Sequence, residues 1–504
     1  MKESVRKAGV LLHPTSLPGK YGIGTIGKCA YDFVDKLYQA HVELWQVLPL
    51  GPTGFGDSPY AARSTFAGNE LLIDLETLYE HELLDVTDLM GKAFVCDRVD
   101  YGKAREFKMP LLKKAAENFL KNPTEDYEEF KAQKAWWLDD YALYQVLVQV
   151  YNDSRWFISW PADLKKRKKS ALDKAIKEYA HEIELFKVYQ YFFFKQWGAL
   201  KSYANERNIQ IIGDIPIFVA PDSVDAWTNT KLLKLDKDCN QEVSSGVPPD
   251  AFSQTGQLWG NPLYRWKEHE KTGFEWWISR IRETVNMCDI VRIDHFRGFA
   301  ACWEVPADED TALNGKWVEA PGQKLLDAIK AALGDNLPII AEDLGVITED
   351  VEALRDDNNL PGMKILQFAF GFNEDGGFDT TNAYLPHNCD YNSVIYTGTH
   401  DNNTTRGWYF DLSDKDKDYV RRYLETGDDD VVYKLIKEAV ASRCKYAIIP
   451  MQDLLYLDSS GRMNVPSTCG TSNWSWIMSK EALEDENNLD RYRYYIDLYG
   501  RYNA

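Results

Sequence analysis

Four short stretches of this sequence end in groups that could carry acid–base or nucleophilic chemistry. They are Asp214 in IIGDIPIFV, Arg292, Asp294 and His295 in VRIDHF, Glu342 and Asp343 in IIAEDL, and His400 and Asp401 in TGTHDN. The Arg-x-Asp spacing is informative, because alternate residues of a strand point to one face and would set Arg292 beside Asp294. A guanidinium next to a carboxyl favours its ionised form, which suits a nucleophile. Glu342 needs the opposite treatment, since a general acid must hold its proton near neutral pH. Carboxylates such as Asp294 and Asp401 nearby would raise its pKa by like-charge repulsion. A carboxylate and a carboxylic acid facing each other can displace a group at the anomeric carbon of a sugar. A gap of about 5–5.5 Å gives double displacement with retention and a wider gap gives inversion; at the level of sequence both stand.

These groups can meet only if several strands end at one place. Short apolar runs at 8–14, 42–51, 209–219, 289–299, 338–346, 362–370, 393–402 and 446–455 each finish in polar or charged residues. Runs such as AGVLL and PIIA lack alternation, as expected of parallel strands buried on both faces. Helical patterns at 184–205, 322–333 and 430–444 lie between them. This order predicts an α/β protein: a (β/α)₈ TIM barrel. A doubly wound sheet is the alternative, but it rarely needs eight strands.

Residues 1–504 are read as one catalytic barrel. Residues 52–208, between the second and third strands, and 220–288, between the third and fourth, read as insertion subdomains. Insertions after barrel strands sit at the C-terminal face, where active sites form. The distance from the last run to Ala504 leaves no room for a C-terminal β-domain.

Composition narrows the partners. A net charge of −20 opposes nucleic-acid and anionic-membrane binding, which need a basic face. The 16 Trp and 29 Tyr could stack on sugar faces, although a large core absorbs most such residues. The 8 Cys are scattered without metal spacing, which reads as reduced thiols in a cytoplasmic protein. No phosphate-cradling glycine loop occurs, and neither a cofactor nor a metal is expected. His13 reads as structural, and His295 fits a hydrogen-bonded core histidine as well as a site residue.

The segments LLHPTSLPGKYGIGTIG, GDSPYAARSTFAGNELLIDL, GDIPIFVA, GVPPDAFSQTGQLWGNPLYRW, VRIDHFRGF, AEDLGVIT, PGMKILQFAF and TGTHDN resemble the 4-α-glucanotransferases of glycoside hydrolase family 77. The likeness runs from about residue 8 to 476 in unbroken order. It implies a retaining enzyme on a (β/α)₈ barrel that moves α-1,4-glucan segments between maltooligosaccharides, with glucose also an acceptor. Asp294 then matches the nucleophile, Glu342 the acid/base and Asp401 the third carboxylate. Arg292 and His400 match residues that hold the nucleophile and the sugar, and Tyr60 a residue stacking under the sugar. Asp214 matches the Asp ending the third strand. Phe252 and Trp259 would belong to a loop over the acceptor side, and Asn464 to the opposing loop.

The sequence departs from the family pattern at Ser467, where Gly is expected, at Ile477, where Arg is expected, and at Glu70, where Pro is common. An α-amylase-type hydrolase and a non-catalytic glucan-binding protein are the competing readings. The first lacks support because the third strand ends in GDIPIFV; the second has no need of the carboxylates. A monomer or homodimer is expected.

Overall fold

The computed structural model describes residues 5–249 and 253–502. Its strands, in chain order, are β1 (Lys7–Leu11), β2 (Leu44–Gln46), β3 (Gln210–Pro216), β4 (Val243–Val247), β5 (Gln257–Pro262) and β6 (Ile290–Asp294). They continue with β7 (Ala301–Pro306), β8 (Lys316–Glu319), β9 (Ile339–Ala341), β10 (Gly362–Ile365), β11 (Ser393–Tyr396) and β12 (Tyr446–Pro450). Eight of them form one sheet in the order β10-β11-β12-β1-β2-β3-β6-β9, with every pair parallel. The Ala341 amide donates to the Pro361 carbonyl at 2.9 Å, joining β9 to the start of β10 and closing the barrel.

The eight expected runs all supply a barrel strand. β1, β9 and β11 are buried almost end to end, which explains their unbroken apolar character. The strands are shorter than the apolar runs because the chain leaves the ladder at each C-terminal end and turns over the barrel mouth. Gly213, just before Asp214, lets Cys288 press against β3: a Cβ there would lie 2.5 Å from the Cys288 sulfur.

Helices cover the barrel. Helix Gly322–Leu333 buries Leu325, Leu326 and Ile329 at helical spacing. The long helix Ala180–Asn205 buries Phe186, Tyr189, Phe193 and Trp197 among others. Most of residues 52–208 is helical, including Tyr101–Phe119 and Glu125–Tyr151.

A second, antiparallel sheet runs β5-β4-β7-β8. Its first two strands come from residues 220–288, but β7 and β8 come from the chain after β6, which the sequence pattern did not reveal. Their alternation is short and interrupted by polar turns, so β4, the partner of β7 about five dozen residues upstream, is invisible locally. This sheet carries Trp259 and its neighbours to the barrel mouth.

His269, on helix Trp266–Lys271, is fully buried against Tyr264, Trp266 and Trp276. Burial pushes its pKa down to about 4. The unfolded chain therefore binds a proton below its ordinary value of 6.5 that the folded protein refuses until about 4. Stability should fall by about 2–3 kcal/mol from this group between pH 7 and 4.5. Urea midpoints at the two pH values test this: His269→Phe should lose correspondingly less than the parent on acidification. Equal losses would remove His269 as the cause.

Candidate active site

The site is organised by β3 and β6. Their register sets Asp214 opposite Arg292, and Pro216 opposite Asp294. Arg292 and Asp294, two residues apart, face the same way. One guanidinium nitrogen of Arg292 donates to both Asp214 oxygens, at 2.9 and 2.7 Å. The other donates to Asp294 Oδ1 at 2.9 Å. Arg292 Nε faces the Met363 sulfur at 3.3 Å, so every nitrogen of the head is engaged. Burial pushes the Asp214 pKa up to about 6, against the pull of Arg292.

Glu342 directly follows β9. Its Oε2 accepts from the His295 amide at 2.5 Å and its Oε1 from the Leu344 amide at 2.9 Å. Burial, then the neighbouring Asp294 charge, push its pKa up to about 8, although Arg292 and the two amides oppose the rise. The carboxyl is thus protonated at neutral pH while remaining next to the Arg292-bound Asp294.

His400 and Asp401 do not end a strand. They lie in the loop beyond Tyr396, where β11 stops, because the chain turns inward over the mouth. Asn464 Nδ2 donates to Asp401 Oδ1 at 2.6 Å, and Arg462 holds the Asp401 carbonyl at 2.7 Å. The Asn464 amide donates back to the His400 carbonyl at 3.1 Å. Tyr60 stacks on the His400 ring at 4.9 Å, and its hydroxyl donates to Asp214 Oδ2 at 2.8 Å. Trp474 tilts against both rings.

One cavity of about 650 Å³ joins these parts. Tyr60, Trp259, Asp294, His400, Asp401 and Asn464 line it. Glu342 is connected to its wall through His295, which also lines it. Asp214 and Arg292 lie beneath, bonded to Tyr60 and Asp294. Trp259 is 39% exposed, at the rim. Phe252 lies outside the described residues. His295 is no hydrogen-bonded core histidine: its buried Nε2 has no partner among the described residues and its ring packs on Trp259. His13 is buried, with Nδ1 accepting the Leu48 amide at 3.2 Å.

Sequence reading missed Trp474, Arg462 and Gln257. Trp474 carried a signal in the aromatic NWSW run. Arg462 and Gln257 carried none, because nothing local tells which loop polar residue will meet the cleft.

The geometry on its own sets an arginine-bound carboxyl beside a buried one whose pKa is raised. Comparison with known proteins decides its kind. The glycoside hydrolase family 77 profile, described as 4-alpha-glucanotransferase, matches residues 12–482. The chain belongs to this family.

Among its 4-alpha-glucanotransferase relatives, one from Streptococcus pneumoniae is 48% identical over 95% of this chain and 94% of its own length. One from Thermus thermophilus is 46% identical over 96% and 97%. The structure of an amylomaltase from Streptococcus agalactiae, in complex with acarbose, superposes with a TM-score of 0.94 at 40% identity, covering 99% of this chain and all of that one. The barrel expected from the sequence is therefore the fold of this family 77 enzyme.

The three departures have distinct settings in this glucanotransferase. Ser467 lines the cavity with φ of 60°, a left-handed conformation that a Gly would adopt without strain. Glu70 is buried and accepts from Tyr141 and from Gln190 at 2.9 Å, tying the residue 70 turn to two long helices. Ile477 is half-buried against the core.

Removing the Arg292 head would leave Asp214 buried without its counter-charge. Arg292→Met should lower unfolding free energy by about 3–5 kcal/mol above pH 6, where Asp214 is ionised. Chemical denaturation measures this. A loss under about 1 kcal/mol, the scale of an exposed pair, would show that the guanidinium does not compensate Asp214.

Proposed function

We propose that the 4-alpha-glucanotransferase chemistry of this chain runs through Asp294 as nucleophile and Glu342 as acid/base, by double displacement with retention. The observation that carries the assignment is a division of labour. Asp294 accepts a charge-assisted bond from Arg292, while the carboxyl of Glu342 is kept protonated to about pH 8. Two neighbouring carboxyls with environments pushing them apart are the signature of a nucleophile and an acid.

In this reading Glu342 protonates the departing glycosidic oxygen as Asp294 attacks the anomeric carbon, passing through an oxocarbenium-like transition state. A covalent glucosyl-enzyme results, and the shorter glucan leaves with the proton. Glu342, now a carboxylate, takes the proton of an incoming 4-hydroxyl, and the sugar moves to the acceptor. Asp401, held by Asn464, binds hydroxyls of the sugar at the cleavage point. Tyr60 stacks beneath that sugar, and His400 and Arg292 fix its surroundings. Asp214 is the buried counter-charge of Arg292.

Trp259 on β5 lines the same cavity as Pro466, Ser467 and Trp474. They would hold the acceptor glucan, glucose included, and keep water off the intermediate, which favours transfer over hydrolysis. Residues 52–208 and 220–288 would wall this cleft. The eight unpaired cysteines support residence in a reducing cytoplasm.

Maltotriose is the informative substrate. Transfer should yield glucose together with a ladder of longer chains; progressive shortening alone would mean hydrolysis. Asp294→Asn should fold normally and retain less than about 0.1% of turnover, as loss of a nucleophile costs several kcal/mol in the transition state. Retention of more than a few per cent would reassign the nucleophile.

The Glu342 value sets the pH dependence. An acid must be protonated, so kcat/KM should fall as pH rises through about 8. An alkaline limb that starts below pH 6 would contradict the assignment.

A further inference from the structure

His295 touches two parts of the site, the Glu342 carboxyl and Trp259 on β5. It follows Asp294 and sits at φ of 56°, a left-handed conformation uncommon for a residue with a side chain. In that conformation its amide points at Glu342 Oε2, 2.5 Å away. The next amide, of Phe296, donates to the Glu342 carbonyl at 3.1 Å, so the turn is stitched to the acid/base residue at two points. The His295 ring lies edge-on to Trp259, with centroids 4.7 Å apart and planes at 85°, and beside Phe218 at 6.2 Å. Gly298 lies beside the ring: a Cβ there would meet Ile217 Cδ1 at 2.7 Å and come within 3.4 Å of His295 Cδ2. Burial holds the imidazole far below its ordinary pKa, to about 3, so at working pH it is a neutral plate.

Strained backbone persists only where its surroundings hold it. Here the holding surface includes Trp259, whose Nε1 is 3.3 Å from Gln257 Oε1 on the same strand and which is otherwise open to the cavity. We propose that His295 is a positioning residue: Trp259 seated on its ring keeps the His295 amide on Glu342, so that packing of β5 over an acceptor sugar tunes the acid/base group. This rests on the reading of Glu342 given above.

The groups facing Glu342 are few. Asp294 and Arg292 come from β6, the His295 and Leu344 amides bracket the carboxyl, and Tyr384 approaches from the segment before β11. Arg292 is fixed by Asp214, and the Leu344 amide belongs to Glu342's own loop. Of these, the His295 amide is the one tied to the acceptor strand. That amide favours the ionised carboxyl, so loosening it must raise the Glu342 pKa further.

The test is the pH profile of kcat/KM on maltotriose for the parent, Trp259→Ala, His295→Ala and the double variant. Each single change should move the alkaline limb up by about half to one pH unit, the value of one weakened hydrogen bond to a charge. The double variant should move it no further. If Trp259 were only a cover, its removal would hydrate Glu342 and move the limb down. A limb that is unmoved or lowered in Trp259→Ala, or shifts that add in the double variant, overturns the proposal. Trp259 stands at the surface, so its variant carries the test even where His295→Ala fails to fold.

A glucosyl fluoride donor separates this from the underlying reading, because fluoride leaves without a proton. Glu342→Ala should form the glucosyl-enzyme from the fluoride at near-parent rate while losing maltotriose turnover. Loss of both would overturn the acid/base assignment itself, whatever the limb does in Trp259→Ala.

Discussion

The structure is built around one buried guanidinium. Arg292 spans from β3 to the end of β6, holding Asp214 on one side and Asp294 on the other. A charge this deep costs several kcal/mol to desolvate and persists only with partners in good geometry. Two carboxylates supply them, and Tyr60 extends the chain of bonds to the stacked rings of the cavity floor. The same contact that stabilises a buried cation fixes the orientation of Asp294. Packing and chemistry here share one set of atoms.

Glu342 stands against that arrangement as its counterpart. It shares the neighbourhood of Asp294 but not the guanidinium's hydrogen bonds, and burial dominates its proton affinity. The difference is set by backbone: one carboxyl ends a strand beside Arg292, the other follows a strand and is met by two amides. The protein thereby holds two neighbouring carboxyls in different ways, one by a guanidinium and the other by burial and two amides. The amides that meet Glu342 belong to turns, and the turn at His295 is kept by aromatic packing from the antiparallel sheet.

That sheet shows where local reading stops. Each barrel strand was legible because burial on both faces leaves a short, mostly apolar run. Helix Gly322–Leu333 was legible because Leu325, Leu326 and Ile329 recur at helical spacing. β7 and β8 were not: β7 pairs with β4 across a long chain separation, and β8 pairs only with β7 and is largely exposed. The loop that carries Asp401 was placed on a strand end because THDN follows an apolar run, yet the ladder stops at Tyr396. Arg462 and Gln257 became site residues only through the fold of their loops.

By itself the sequence determined the barrel and the pairing of Arg292 with Asp294. Those follow from period, burial and the two-residue repeat of a strand, all properties of adjacent residues. Only the tertiary structure decided which loops face one another, that His295 bears Trp259 on its ring and Glu342 on its amide, and that Asn464 holds Asp401. These contacts join residues three to five dozen positions apart. Their geometry depends on chain closure and packing, for which no local pattern is selected.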